Sequence, residues 1–305
     1  MGVTLLGPQR TPDLQAVVRS MELDGPIATI TAGWGDRESD DGELHELLDG
    51  RGVNLSLYRR WRDVQDRDPE FAAADRRRRE LLDEMHEIYL VRLDHALSAV
   101  AEIQRRDGNE RIRDEALGQA IDAVRDLDAR HLDEVSDTHG EFYDIWPPHE
   151  RPVIAEHRAE VDALLRDTAA LVIAGGHVGY LTTTLHLFNV AAGVRQPVIA
   201  WSAGAMALAD RLVLFHDHAP QEPTHAEVWD NGLSLVRNLV PLPHARARLV
   251  LDDTRRMAVF ARRFAPAHCV LLEAGTRLEV GSDGSCPPDA RILGLDGRIA
   301  TVAAS

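Results

Sequence analysis

The chain of 305 residues contains no lysine; all 34 of its basic residues are arginine. A Walker-A phosphate loop, a pyridoxal-phosphate Schiff base, a lysine nucleophile and a Ser–Lys dyad each need an amine of tunable pKa, so all four are excluded. GC-rich codon usage is the ordinary cause of such an absence. Positive charge is also outnumbered: 50 acidic residues leave a net charge of −16. Nucleic acid is therefore disfavoured as the main partner, because phosphate neutralisation needs a basic surface. Cysteine is scarce. Cys269 and Cys286 make neither a disulfide framework nor a zinc set, so a reducing cytoplasm is the expected setting. No apolar run approaches the ~20 residues of a membrane span, and the short apolar start lacks the basic leader of a signal peptide. Aromatics are only 5% of the chain, yet 44% of residues are hydrophobic, ample for a packed core. The length suits one large domain, or one domain plus a smaller elaboration.

Three styles of sequence follow one another. The first alternates short strands and helices: Val3–Leu6, then Ile27–Ala32 ending in Gly33-Trp34-Gly35-Asp36, a helix over Ser39–Asp49, and a strand Val53–Leu57. The middle is dense in Arg, Asp, Glu and Ala. Its apolar residues recur at helical spacing in two stripes, Leu82, Met85, Tyr89, Leu93, Ala96, Val100, Ile103 and Ile112, Ala116, Ala120, Ile121, Val124, Leu127. Arg105-Arg106-Asp107-Gly108-Asn109 separates them as a helix stop and turn. A long antiparallel helical hairpin is predicted, closed by Trp146-Pro147-Pro148. Its run Arg76–Arg79 is flanked by acids and reads as a solvated face with weak i,i+4 ion pairs rather than an anion site. From about 150 the first style returns. A helix spans Glu150–Asp167, and Ala169–Ala174 is a strand buried on both faces that ends in Gly175-Gly176. Then come a helix over about Tyr180–Ala192, a strand Pro197–Ala200, and Trp201-Ser202-Ala203-Gly204-Ala205.

The pattern predicts an α/β fold with a doubly wound, mainly parallel sheet formed by 1–59 and 148–305, carrying a long helical-hairpin insertion at 60–147. An amphipathic hairpin standing off a complete α/β domain needs cover for its apolar stripe, so a homo-oligomer through the insertion is expected ahead of a lid or a docking surface.

Binding sites in such sheets lie at the carboxyl ends of strands. Ser202 stands there, followed by small residues that open a helix, which is the layout of a nucleophile elbow; an ordinary helix N-cap would look similar. Ala200 stands where the full Gly-x-Ser-x-Gly motif has its first glycine. Gly175-Gly176 allow close backbone approach and can aim an amide at the same point as that of Ala203, giving a two-donor oxyanion hole. A serine nucleophile needs a base and an orienter. His244 follows a stiff proline turn in Leu239–Pro243, and Glu273 ends the apolar run Cys269–Leu272, where pairing with a histidine would offset its burial.

In their order, Gly175-Gly176, Trp201–Ala205, Pro243-His244 and Glu273 resemble the segments of the peptidase E/cyanophycinase family of serine peptidases, built on the class I glutamine amidotransferase fold. The resemblance covers everything outside the middle segment. It implies Ser202 as nucleophile, His244 as general base and acid, Glu273 as orienting carboxylate, and the amides of Gly176 and Ala203 as the oxyanion hole. The order Ser…His…Glu differs from that of α/β-hydrolases, where the acid precedes the histidine. Where the family often follows its glycines with Asn-Thr, this chain has His177-Val178-Gly179, and the compact dipeptidase has no counterpart of the hairpin.

The expected activity is hydrolysis of a peptide or other amide bond through an acyl-enzyme, on a small peptide or amide, with no cofactor. The alternatives are acyl transfer to an amine on the same fold, and a non-catalytic scaffold that uses the hairpin. Gly175, His177, Arg246 and Arg248 are candidate substrate contacts, the arginines for an acidic group. His216-Asp217-His218, with Glu222, His225 and Glu227, could be read as a metal site, but the spacing fits no named motif and no metal is assigned.

Overall fold

The computed structural model describes residues 2–9, 13–217 and 225–304. In chain order, β1 (Val3–Leu6), α1 (Leu14–Ser20), β2 (Ile27–Ile30), α2 (Gly42–Leu47) and β3 (Gly52–Asn54) come first. Three helices follow: α3 (Leu57–Arg67), α4 (Pro69–Arg105) and α5 (Glu110–Ile145). Next are α6 (Pro152–Arg166), β4 (Ala170–Ile173), α7 (Val178–Leu187), α8 (Val190–Gly193), β5 (Val198–Trp201) and α9 (Ala203–Ala207). The last third holds β6 (Arg211–Leu214), β7 (Glu227–Asn231), β8 (Leu239–Pro243), α10 (Ala245–Arg248) and α11 (Thr254–Phe264). The strands β9 (His268–Leu272), β10 (Arg277–Val280), β11 (Arg291–Leu293) and β12 (Ile299–Thr301) close it.

Among the described residues the strands form three sheets. The largest has the order β10-β1-β5-β4-β2-β3, parallel throughout except where β10 runs against β1. The chain is thus mixed α/β around a mostly parallel sheet. Its strands β4 and β5 are buried along their whole length. Successive residues face opposite sides: Leu171 and Ile173 join one core, Ala170 and Val172 the other, under α1 and α2. A second sheet, β12-β11-β9-β8, has β8 and β9 parallel; β6 and β7 form a separate antiparallel pair.

The strand expected over Val53–Leu57 stops at Asn54, and Leu57 opens a helix instead. Ser56 turns the chain with left-handed backbone (φ 51°). The buried Glu38 carboxylate then accepts from the Tyr58 and Arg59 amides, both at 2.8 Å, and so satisfies two of the first-turn donors of α3. Burial pushes the Glu38 carboxyl above its usual range.

Helices α4 and α5, of 37 and 36 residues, are each about 55 Å long at 1.5 Å per residue. Asp68 caps α4 by accepting from Phe71 N (3.1 Å), with Pro69 at the first helical position, and is also paired with Arg151; Asn109 caps α5 through Ile112 N (3.3 Å). The apolar stripe that was expected to need a second copy is covered within the chain. Near the base of the hairpin, Phe71, Ala74 and Phe142 join the core of the largest sheet. Farther along, Tyr89, Leu93, Val100, Ile121 and Leu127 pack with Val228, Val240, Leu242 and Phe264 of β7, β8 and α11. That packing removes the premise on which an oligomer through the hairpin was argued. Two expectations about single residues fail. Ile112 is exposed, because it lies in the first turn of α5, beyond the packed stretch, and Arg78 is buried against Asp75, Phe142 and Tyr143 rather than solvated.

Candidate active site

Strand β5 runs directly into α9, and Ser202 is the joint. Its backbone lies at φ 50°, ψ −125°, a conformation costing a non-glycine residue of order 1–3 kcal/mol unless its surroundings hold it there. They do so through small side chains: Ala203 to Ala207 are all buried, and the neighbouring end of β4 comes in close. A Cβ on Gly175 would lie 2.7 Å from the Cβ of Ser202, and one on Gly176 (φ 131°) would lie 2.4 Å from the carbonyl oxygen of Gly33. Glycine at the first position lets the loop after β4 press against the Ser202 turn, and glycine at the second lets the same loop press against the Gly33 backbone.

His244 follows β8 in left-handed backbone (φ 57°), its amide donating to Leu272 O at 3.1 Å. Its ring reaches across from the second sheet, so that Nε2 lies 3.3 Å from Ser202 Oγ. An imidazole nitrogen at that distance is placed to take the hydroxyl proton, and such bonds tighten when substrate binds. Glu273 follows β9, which pairs with β8 in a register that sets Leu272 opposite Pro243. Its Oε1 accepts from the Arg246 amide at 2.8 Å, two residues past His244.

A cleft of about 590 Å³ opens over the pair. Ser202, His244, Gly175, Gly176 and Ala203 line it together with Trp34, Trp201 and Arg248. Burial holds the Arg248 guanidinium below the usual arginine value, and no carboxylate pairs with it among the described residues. Arg246 is exposed and lies outside the lining. His177 caps α7 by accepting from Tyr180 N (3.2 Å) and lines a neighbouring cavity instead. Asp40 and Glu43, just before and within α2, also line the cleft. Nothing in the sequence distinguished these two acids from the many around them. The two thiols are poor nucleophiles: burial pushes Cys269 up to about 12 and Cys286 up to about 11.

Among the described residues no group of three or more His, Cys, Asp or Glu is arranged to hold a metal ion. Of the histidine cluster considered above, His218 and Glu222 lie outside the described residues, while His225 faces Asp94 of α4 at 3.8 Å. No described helix is long and apolar enough to cross a membrane.

Neither a family model nor a curated protein matches the chain. Among solved structures it is similar to a peptidase from an acI-B1 Actinobacterium, with 12% identity, 98% of this chain aligned to 93% of that one, and a TM-score of 0.43.

Proposed function

We propose that the chain is a serine-dependent hydrolase of a peptide or other amide bond, acting through an acyl-enzyme. The observation that carries this reading is Ser202 Oγ, on a strained strand-to-helix turn, 3.3 Å from His244 Nε2 at the floor of an open cleft. In the reaction His244 takes the Ser202 proton as Oγ attacks the carbonyl carbon. The developing oxyanion is held by the Gly176 and Ala203 amides. His244 passes its proton to the departing amine, and water, activated by the same ring, then releases the acid. Glu273 is the orienting carboxylate, and its bond to the Arg246 amide holds the turn on which His244 stands.

The desolvated Arg248 in the cleft, without a carboxylate partner among the described residues, supports a substrate with an acidic group near the scissile bond. We further read 1–59 with 148–305 as a class I glutamine amidotransferase-like fold of the peptidase E/cyanophycinase type, with 60–147 inserted. That assignment rests on the motif order, each member of which follows a strand: β4, β5, β8 and β9.

Reaction with a fluorophosphonate tests the chemistry. A single adduct on Ser202, lost in Ser202→Ala, is the expected result; labelling elsewhere, or none, overturns the proposal. A screen of Asp-Xaa and β-aspartyl dipeptides, with Arg248→Ala beside the native protein, tests the substrate class.

A further inference from the structure

Behind the Ser202 cleft lies a second cavity, walled by α4 and α5 on one side and by α3, α7 and β7 on the other. Its volume is about 200 Å³, below the roughly 300–1,000 Å³ of pockets for drug-sized ligands, so its occupant is small. Three aromatic side chains, Trp61, Tyr180 and Trp229, line it with Leu82 and Val135. Trp61 and Tyr180 are already associated, with ring centroids 6.0 Å apart and each close to Tyr58. This wall suits an apolar side chain.

The polar groups of the same cavity are of both signs, and several have hydrogen-bonding capacity to spare. Arg79 has Nε 3.3 Å from Asp75 Oδ2 without hydrogen-bond geometry. Its two terminal nitrogens have no partner among the described residues, and its guanidinium carbon stands 5.7 Å from the centre of the Trp61 ring. The Trp61 indole Nε1 is buried and has no hydrogen-bond partner either. Leaving such a donor unmade costs about 1–3 kcal/mol unless something else accepts it. Opposite in charge is Asp230. Its Oδ1 accepts from His139 Nε2 (3.1 Å) and from Asn231 N (2.7 Å), which leaves Oδ2 available, while Asp83 is exposed at the rim. Arg78 uses its two terminal nitrogens on His139 and Asp75, its Nε is buried without a hydrogen-bond partner, and it forms part of the wall.

We infer that this cavity binds a free apolar α-amino acid. The carboxylate takes the Arg79 fork and the Trp61 N–H, the ammonium group takes Asp230, and the side chain lies among Trp61, Tyr180 and Trp229. A simple anion would meet the two aspartates, and a simple cation would meet the two arginines; a zwitterion satisfies both. The inference does not depend on the Ser202 chemistry.

Isothermal titration of the intact protein tests it with three probes: L-phenylalanine, hydrocinnamate (no ammonium) and phenethylamine (no carboxylate). The expected result is one saturable site for L-phenylalanine, with each truncated probe at least about tenfold weaker. Arg79→Met, which keeps the stem of a half-exposed side chain, and Trp61→Phe, which keeps a ring, should each weaken L-phenylalanine while circular dichroism is unchanged. The inference is overturned by no binding up to about 10 mM, near the weak limit of such sites, or by equal binding of hydrocinnamate. It is also overturned if affinity survives both substitutions, or is lost in Arg248→Ala and kept in Arg79→Met, which would put the amino acid in the Ser202 cleft.

Discussion

Ser202 stands on a positive-φ turn among buried alanines and glycines, with its hydroxyl open to a cleft. Asp128 and Arg263, where the hairpin meets α11, are arranged the other way. Both are buried, and every strong partner is supplied by the protein: Arg263 Nε and Nη2 each bond Asp128 at 2.6 Å, and Nη1 bonds Ala226 O at 2.6 Å. The Tyr89 hydroxyl donates to Asp128 (2.8 Å) and accepts from Arg263 (3.0 Å) and the Val228 amide (3.1 Å). One region leaves polar capacity unused and holds its backbone in strain with small side chains. The other pairs its buried charges with each other and with partners inside the protein. The first is organised to act on something that is not yet there, the second to hold what is.

Substitutions should separate the two. Ser202→Ala carries the largest expected effect: amide turnover falls by about 10⁴-fold or more, as for other serine nucleophiles, with an unchanged melting curve. Arg263→Met should do the reverse. It strands the Asp128 carboxylate in the core and costs about 3–5 kcal/mol in denaturant unfolding, while turnover per folded molecule drops far less than in Ser202→Ala. Gly175→Ala joins the two behaviours, since the new methyl group must displace the Ser202 turn. A stability loss of about 1–3 kcal/mol is expected together with slower turnover, measured on the same preparation. The smallest effect concerns pH. Burial, with His86 adding to it, holds the His131 imidazole down to about 4 from an ordinary 6.5. The unfolded chain therefore takes up the proton first, and stability is lost as pH falls between those values and levels off below them. His131→Phe keeps the stack on Tyr89, whose centroid lies 4.0 Å away, and should flatten that slope in thermal midpoints measured across pH.

Much of the Ser202 region was legible in the sequence because its parts are local. A glycine pair, a serine among small residues, a proline-histidine turn and a glutamate each follow an apolar run, and each lies at the end of a strand. The hairpin was legible for the same reason, since Tyr89, Leu93, Val100 and Ile121, Val124, Leu127 repeat at helical spacing. Which surface those stripes meet was not legible. Asp128 sits one position beyond its stripe and looks like a solvated acid, because the arginine that neutralises it is 135 residues away. Glu38 was hidden likewise: it satisfies the start of α3 from 20 residues upstream, and Leu57 read as the end of a strand. Nor does an apolar run declare its sheet. Strands β5 and β8 look alike as sequence, yet they belong to different sheets.

That last division bears on how freely the chain could change over time. Ser202 and His244 descend from separate sheets, and the hairpin packs against the cores of both. Long surface segments are ordinarily gained and shed with little harm to the domain beneath. Here, joining residue 59 directly to 148 would uncover Val228, Val240 and Phe264 and remove one of the bodies that hold the two sheets in register. Deleting the hairpin should therefore disturb the 3.3 Å between hydroxyl and imidazole as well as expose the core beneath it.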